Sequence, residues 1–258
     1  DSWDARPSPD GKRVAYVLRH FADLNRTDIR LIDLESGAAH TVVGQAQEFN
    51  RLPRWSPDGS TLAFISQRTD FYEIWLVQPD GSHLRQLSHF GHDVVDIAWS
   101  PDGTHLACTV NRGGEVELGL IQAATGEYRP LRSGAGVHSH PCWSPAGDFL
   151  TFEYESPLTP PDLYRLRLDS GRVVALTHTI PPALEALPLV KPEVISYKST
   201  DGLEIPAFLF RPQHSNGAAI VDPHGGPSAQ YGYDWDIFPQ YLVAKGYTFL
   251  SPNYRGST

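Results

Sequence analysis

The stretch Trp55-Ser56-Pro57-Asp58-Gly59, followed by the apolar run Leu62-Ala63-Phe64, decides the fold because it recurs along the chain at regular spacing. Four copies of its Ser-Pro-Asp-Gly core begin at Ser8, Ser56, Ser100 and Ser144, the last with alanine in place of aspartate. These serines lie 48, 44 and 44 residues apart. A period of this size is typical of propeller blades that are built from four strands each.

Each copy predicts a hairpin corner. Proline presets φ at the second position of a tight turn, aspartate can bond the backbone downstream, and glycine accepts a positive φ. A short strand-like run follows each copy, and a second glycine turn recurs at Gly37, Gly81, Gly126 and Gly171. Every unit therefore has room for four strands, and the sequence predicts four blades over residues 1–180.

Charge and composition exclude several classes of partner. The net charge is −9, and no basic stripe is present, so the sequence predicts neither a nucleic-acid nor a membrane partner. No apolar run reaches the roughly 18 residues that indicate a membrane helix. The two cysteines, Cys108 and Cys142, form no Cys-x-x-Cys motif. We expect them to be reduced thiols of a cytoplasmic protein.

The pattern changes after the fourth repeat. Four prolines in residues 181–192 predict a linker, and residues 193–210 predict two strands joined at Asp201-Gly202. The apolar run 218–221 lacks alternation, which predicts a strand buried on both faces. A helix is expected from the N-cap Asp236 to Gly246, followed by another strand. This order predicts an α/β unit.

The loops that follow these two strands carry a resemblance to a known family. His224-Gly225-Gly226-Pro227, Gly246-Tyr247 and Pro252-Asn253-Tyr254-Arg255-Gly256-Ser257 resemble the start of the catalytic domain of the prolyl oligopeptidase family of serine peptidases, most of all its acylaminoacyl peptidase branch. The resemblance implies a mixed fold, in which the four visible β-propeller blades belong to a larger propeller. The first part of an α/β-hydrolase domain would then occupy residues 193–258. We therefore expect a fragment of a longer protein.

The resemblance also implies roles for the loop residues. The backbone N–H of Gly226 would be one donor of the oxyanion hole. We expect His224, Gly225 and Pro227 to support the loop, and Asn253 and Arg255 to be structural. His224 as the catalytic base is the alternative, although in α/β-hydrolases the base follows the nucleophile along the chain.

The nucleophile is absent, since no serine has glycine at both the second position before and the second position after it. The Ser/Asp/His triad is therefore not in this chain. The resemblance implies a serine peptidase that cleaves short or N-acylated peptides, with the propeller controlling access and no cofactor. The chain alone is expected to be inactive, and a homo-oligomer is a further option. Two alternatives stay open: a TolB-like propeller that binds a protein partner, or an esterase or amidase of the same fold.

Two groups of residues have the side chains of metal ligands. His138, His140 and Cys142 alternate along a predicted inner strand and are expected to share one face, and His89-x-x-His92 lies beside another. Because no fourth ligand is apparent for either group, we expect no metal site.

Overall fold

The computed structural model describes residues 2–185, 187–226 and 229–257. Four antiparallel groups of four strands follow one another along the chain, and each group pairs in sequence order. Blade 1 contains β1 (Ser2–Pro7), β2 (Arg13–His20), β3 (Asp23–Asp33) and β4 (Ala39–Val43). Blade 2 contains β5 (Asn50–Trp55), β6 (Leu62–Ser66), β7 (Glu73–Val77) and β8 (Arg85–Gln86).

Blade 3 contains β9 (Val94–Trp99), β10 (His105–Arg112), β11 (Glu115–Gln122) and β12 (Tyr128–Arg132). Blade 4 contains β13 (Val137–Trp143), β14 (Phe149–Ser156), β15 (Thr159–Arg167) and β16 (Val173–Ala175). One parallel pair, Val116 near the start of β11 with Val137 at the start of β13, joins these two blades. The apolar core lies between blades, where residues of blade 1 such as Ile29 pack with residues of blade 2 such as Phe64. The predicted four-bladed part of a β-propeller is confirmed.

The repeated turns form as predicted. Gly11, Gly59, Gly103 and Gly147 all have φ between 68° and 73°. In the three intact copies the serine Oγ donates to the aspartate Oδ1 at 2.5 to 2.6 Å. In the fourth copy Ser144 donates to Asp148 at 2.6 Å, so a carboxylate two residues further on replaces the one lost at Ala146.

The tryptophan before each of the last three copies joins neighbouring blades. The indole Nε1 of Trp55 donates to the carbonyl of Arg6, that of Trp99 to Arg54, and that of Trp143 to Ala98, each at 3.0 Å. Each acceptor lies on the first strand of the preceding blade. The recurring tryptophan therefore stabilises the contact between blades as well as its own blade.

The first strand of blade 4 corrects one prediction. Its pairing with β14 shifts between Ser139 and Cys142, and His140 takes a positive φ of 52°. This bulge interrupts the alternation of faces, so His138 is buried while His140 and Cys142 are exposed. The expectation that the three side chains share one face is wrong. Within the described residues, no three His, Cys, Asp or Glu side chains are grouped closely enough to hold a metal ion.

A second sheet follows the blades. It contains β17 (Glu193–Lys198), β18 (Glu204–Phe210), β19 (Ala219–Val221) and β20 (Thr248–Pro252), in the order β17-β18-β20-β19. The linker holds a short helix α1 (Pro182–Glu185), and helix α2 (Ile237–Ala244) connects β19 to β20. Asp236 caps α2 as predicted, because its side chain accepts from the N–H of Phe238. Neither described helix is long and apolar enough to span a bilayer.

Strand β19 is more exposed than its sequence predicts. It pairs only with β20, in parallel, and forms an edge of the sheet, so 60% of Val221 is exposed. The expectation of a strand buried on both faces is therefore wrong for the described residues. An apolar run reports the preference of the side chains for burial, whereas their actual burial depends on which elements lie against them.

Candidate functional site

Two loops lie side by side at one edge of the second sheet. Residues 222–226 follow β19, and residues 253–257 follow β20. Since these strands are parallel neighbours, their carboxyl ends meet, which is where open α/β sheets bind ligands. The structure therefore brings together the two motifs that carry the family resemblance.

His224 connects the two loops. Its ring stacks on that of Tyr254 with a centroid distance of 4.3 Å, and the Tyr254 hydroxyl donates to the His224 carbonyl at 2.7 Å. Its Nδ1 lies 2.8 Å from the carbonyl of Gly225, and its Nε2 lies 2.6 Å from Oγ of Ser257. A carbonyl only accepts, so Nδ1 donates to Gly225, whereas the single hydroxyl hydrogen of Ser257 can go either to Nε2 or to the Tyr254 carbonyl, which lies 2.7 Å from the same Oγ. One nitrogen is bonded within the first loop and the other to the second loop, which favours the supporting role over that of a catalytic base.

The two adjacent glycines serve different purposes. Gly226 has a φ of 136°, a conformation that side-chain-bearing residues rarely adopt. A Cβ placed on Gly225 would meet no atom within 4 Å, so that position opens onto free space. The N–H of Gly226 donates to no acceptor among the residues that the structure describes. Pro227, the fourth residue of the motif, lies outside the described residues.

Asn253 fixes the segment that follows the glycine loop. Its Oδ1 accepts from the N–H of Tyr231 at 2.7 Å, and its Nδ2 donates to the Tyr231 carbonyl at 3.0 Å. The Tyr231 hydroxyl donates to Asp222 at 2.7 Å. Burial, and then the hydrogen bond to this carboxylate, raise the pKa of Tyr231 well above its ordinary value. Asn253 and Tyr231 thus hold the backbone next to the candidate site in one conformation.

Arg255 pairs with Asp201, which lies in the turn between β17 and β18. Both side chains are mostly exposed, so the pair contributes little to stability. Its position ties the second loop to the neighbouring hairpin, and no contact of Arg255 places its guanidinium at the glycine loop among the described residues.

The second sheet and its loops are held against blades 3 and 4. The N–H of Tyr233 donates to the carbonyl of Gly114 at 2.9 Å, and a Cβ on Gly114 would lie 3.0 Å from Cα of Gly232. The N–H of Trp235 donates to Glu155 at 2.9 Å. Burial raises the pKa of Glu155, and the nearby Asp234 and Glu153 add to the effect. These contacts fix the distance between the propeller and the glycine loop.

Gln240 adds a third contact between the two parts of the chain. The side chain of this buried helix residue donates to the carbonyl of Pro157, in the turn between β14 and β15, at 2.9 Å. It also bonds both the N–H and the carbonyl of Val190 in the linker. One side chain therefore holds helix α2, the linker and blade 4 together.

A cleft of about 360 Å³ lies between blades 2 and 3 and the second loop. It is lined by side chains of both parts of the chain, among them Phe71, Asn111, Gln230 and Ser257. A second cleft, of about 340 Å³, lies against β18 and shares Gly113, Gln230 and Ser257 with the first. Of the lining residues, the sequence singled out His92, Asn253 and Arg255, but none of them as a substrate-binding residue.

The loop after β19 presents the Gly226 N–H, which has no acceptor among the described residues. A free backbone N–H in a loop at the carboxyl ends of parallel strands suits an oxyanion, and this is where α/β-hydrolases place their first oxyanion donor. No serine of the sequence has glycine at both the second position before and the second position after it, the pattern expected around an α/β-hydrolase nucleophile. The described residues provide this N–H in the first loop and two clefts that are lined by residues of the second loop.

Comparison with known proteins agrees with this geometry. No family model matches the chain. It is 26% identical to dipeptidyl-peptidase 5 of Porphyromonas gingivalis over 268 residues, which cover 96% of this chain and 39% of that protein. It is 29% identical to the acylamino-acid-releasing enzyme of Sus scrofa over 124 residues, which cover 43% of this chain and 17% of that enzyme.

The fold is shared with a solved structure. A puromycin-hydrolyzing peptidase of Mycobacterium tuberculosis superposes on the whole chain with a TM-score of 0.86 at 22% identity, and the match covers 42% of that structure. The chain thus spans less than half the length of the relatives it matches. With its propeller blades, its α/β segment and the two motif loops in the expected places, the chain is similar along nearly its whole length to peptidases of the prolyl oligopeptidase family.

Proposed function

We propose that the protein to which this chain belongs is a serine peptidase that cleaves short peptides at the boundary between the propeller and the α/β domain. The observation that carries the proposal is the N–H of Gly226, which has no acceptor among the described residues and lies in a loop that His224 joins to Ser257, a residue of the cleft. Similarity to peptidases along nearly the whole chain supports it.

The chemistry assigned to this chain is electrostatic. In the proposed reaction a serine outside this sequence attacks the carbonyl of the scissile bond, and the carbonyl oxygen becomes an oxyanion. The Gly226 N–H donates to that oxygen, a contact of the kind worth about 3 kcal/mol in the transition state. The residue that follows the nucleophile would supply the second donor.

The propeller would limit which substrates reach the loop. Blades 3 and 4 hold the second sheet closely, and the two clefts beside the second loop have volumes of about 340 and 360 Å³. Clefts of this size lie at the small end of the range for ligand sites, which suits short peptides better than folded proteins.

The experiment that tests the proposal uses the full-length protein. A fluorophosphonate probe should label one serine within a Gly-x-Ser-x-Gly motif that follows this chain, and alanine at that serine should abolish both labelling and peptide cleavage. A full-length protein that shows no labelling would instead support a propeller that binds a protein partner. Labelling with cleavage of esters but not of peptides would support the esterase or amidase alternative.

We propose that the amino terminus of the substrate is either free or acylated. The chain matches one relative named as a dipeptidyl peptidase and another named as an acylamino-acid-releasing enzyme. Matched chromogenic peptides that differ only in an N-acetyl group separate these cases. Faster cleavage of the acetylated peptide would place the protein with the acylaminoacyl branch. Faster cleavage of the free peptide would place it with the dipeptidyl peptidases.

Localisation and assembly are further proposals. A cytoplasmic location is supported by Cys108 and Cys142, which are both free thiols. We propose no nucleic-acid or membrane partner, on the basis of the acidic net charge. Fractionation of cells and gel filtration of the full-length protein would test the location and the oligomeric state.

A further inference from the structure

The two clefts meet at three residues, Gly113, Gln230 and Ser257. Ser257 belongs to the loop that His224 holds, and Gly113 lies at the tip of the turn between β10 and β11. Gln230 lies between these two and directly precedes Tyr231, whose peptide N–H and carbonyl are both bonded by Asn253. The backbone that carries Gln230 is therefore fixed at the junction of the clefts.

The carboxamide of Gln230 is free to bind a ligand. It makes no hydrogen bond to any residue that the structure describes, although it lines both clefts. Asn111, on the blade side of the same cleft, uses only one of its groups. Its Oδ1 accepts from the N–H of Gly114 at 2.9 Å, which leaves the two Nδ2 hydrogens available. The cleft thus has one free amide group from each part of the chain.

These groups match the main chain of a peptide. A carboxamide offers a donor and an acceptor in one plane, as a peptide group does, so it can bond a peptide backbone whatever the side chains are. The lining of the first cleft contains no Lys or Arg but includes Asp70 and Asp93, and Phe71 beside His92 presents an aromatic surface. An anionic ligand is therefore disfavoured, whereas an extended peptide with an apolar side chain suits this lining.

We propose that Gln230 and Asn111 bind the main chain of the peptide substrate from opposite sides of the cleft and so position it beside the Gly225-Gly226 loop. This proposal rests on the proposed peptidase function and adds two substrate-binding residues to it. The bonds join the two parts of the chain through the substrate, so they form fully only when the α/β segment and the propeller are docked.

The pair Gln230 and Asn111 is called the clamp below. Two substitutions test its binding of the substrate main chain in the full-length protein. Gln230→Ala removes the whole carboxamide, and Asn111→Asp keeps an oxygen for the Gly114 N–H but removes the Nδ2 donor. Gln45→Ala, at an exposed position in the loop after β4, is the matched control. The probe is an apolar tetrapeptide whose scissile amide is replaced by a methylene-amine, so that its binding can be measured without turnover.

We expect each cleft variant to bind the tetrapeptide about fivefold more weakly than the unaltered protein, the usual range for one neutral hydrogen bond. The kcat/KM for peptides should fall by a similar factor, mainly through KM. Hydrolysis of p-nitrophenyl acetate should not change, because its acetyl group is too small to reach the clamp. The Gln45→Ala control should match the unaltered protein in all three measurements.

Two results would overturn the clamp. One is unaltered tetrapeptide binding in both cleft variants, or no binding by the unaltered protein. The other is an equal loss of peptide and p-nitrophenyl acetate hydrolysis in Gln230→Ala, which would indicate general damage to the loop. Failure of the peptidase proposal looks different: the unaltered protein would bind the tetrapeptide, with weaker binding in the variants, yet cleave no peptide.

Discussion

The repeated turns of the blades and the glycine loop after β19 are built from similar residues but use their polar groups differently. In the turn at Ser56, the hydroxyl donates to Asp58 and accepts from the N–H of Thr61, so its polar groups are satisfied internally. In the glycine loop, His224 is bonded in the same internal way, but the Gly226 N–H has no acceptor among the described residues. A loop whose polar groups are all used stabilises the fold, whereas a loop that leaves one free can bind a ligand.

The largest expected effect tests the free N–H. Gly226→Ala places a Cβ on a residue with a φ of 136°, so the backbone must change and the N–H moves away from the oxyanion. We expect kcat for peptides to fall by about 10²-fold to 10³-fold in the full-length enzyme, with a small change in KM. Steady-state kinetics would measure this.

The neighbouring glycine is the matched control for that prediction. Gly225→Ala meets no atom within 4 Å and should keep most of the activity, with a loss of less than about tenfold. Equal losses in both variants would mean that the loop is only a structural turn. Fluorophosphonate labelling of both variants would show whether the nucleophile is still accessible.

The next effect concerns stability, at the contact between blades. Trp99→Phe removes the indole N–H that bonds the Arg54 carbonyl, which leaves a partly buried carbonyl without this partner. We expect the free energy of unfolding to fall by about 1 to 2 kcal/mol, as measured by chemical denaturation, while kcat per folded molecule stays unchanged. Trp3→Phe is the control because Trp3 is 38% exposed and its indole bonds no described residue. A drop in kcat without a drop in the free energy of unfolding would contradict the distinction in which the contacts of the blades stabilise the fold and the glycine loop binds the ligand.

A smaller effect tests the altered fourth repeat. Asp148→Ala removes the carboxylate that accepts from Ser144, and we expect a loss of about 1 kcal/mol in the free energy of unfolding. Adding Ala146→Asp in the same chain recreates the arrangement at Ser100 and Asp102, and should restore most of the loss. Without such rescue, Asp148 would stabilise blade 4 through another contact, such as its ion pair with Arg167.

The sequence predicted the elements that depend on local chemistry. The glycine turns and the Asp236 cap were predictable because proline, glycine and aspartate dictate backbone geometry over a few residues. The bulges at Leu52 and His140 were not, because a positive φ at these residues is imposed by pairing with the next strand. Sequence spacing gave no sign of them.

The buried carboxylates on the third strands of blades 1 and 2 were also missed. Asp28 bonds His20 and Arg26, and Glu73 bonds Ser88 and the N–H of Gly91. Their partners lie at different distances along the chain, so no fixed motif marks them. The glycine loop was predicted from its motif. The cleft was not, because its residues 111 and 230 come together only when the two sheets pack against each other.

The smallest expected effect is a pH-dependent change in stability at the contact between blade 4 and the α/β segment. Burial and the nearby Asp234 and Glu153 raise the pKa of Glu155 above its ordinary 4.5, so the folded protein holds this proton more tightly than the unfolded one. Glu155 therefore contributes most to stability at acidic pH, and its contribution falls as pH rises from about 4.5 through the raised pKa. Glu155→Gln keeps an oxygen for the Trp235 N–H and removes the charge. The variant should be slightly more stable than the unaltered protein at pH 7, with the difference shrinking below pH 4.5, as thermal unfolding across this range would show. A variant that is less stable at pH 7 would mean that the charge strengthens the bond to Trp235 by more than its burial costs, and docking would then tighten as pH rises.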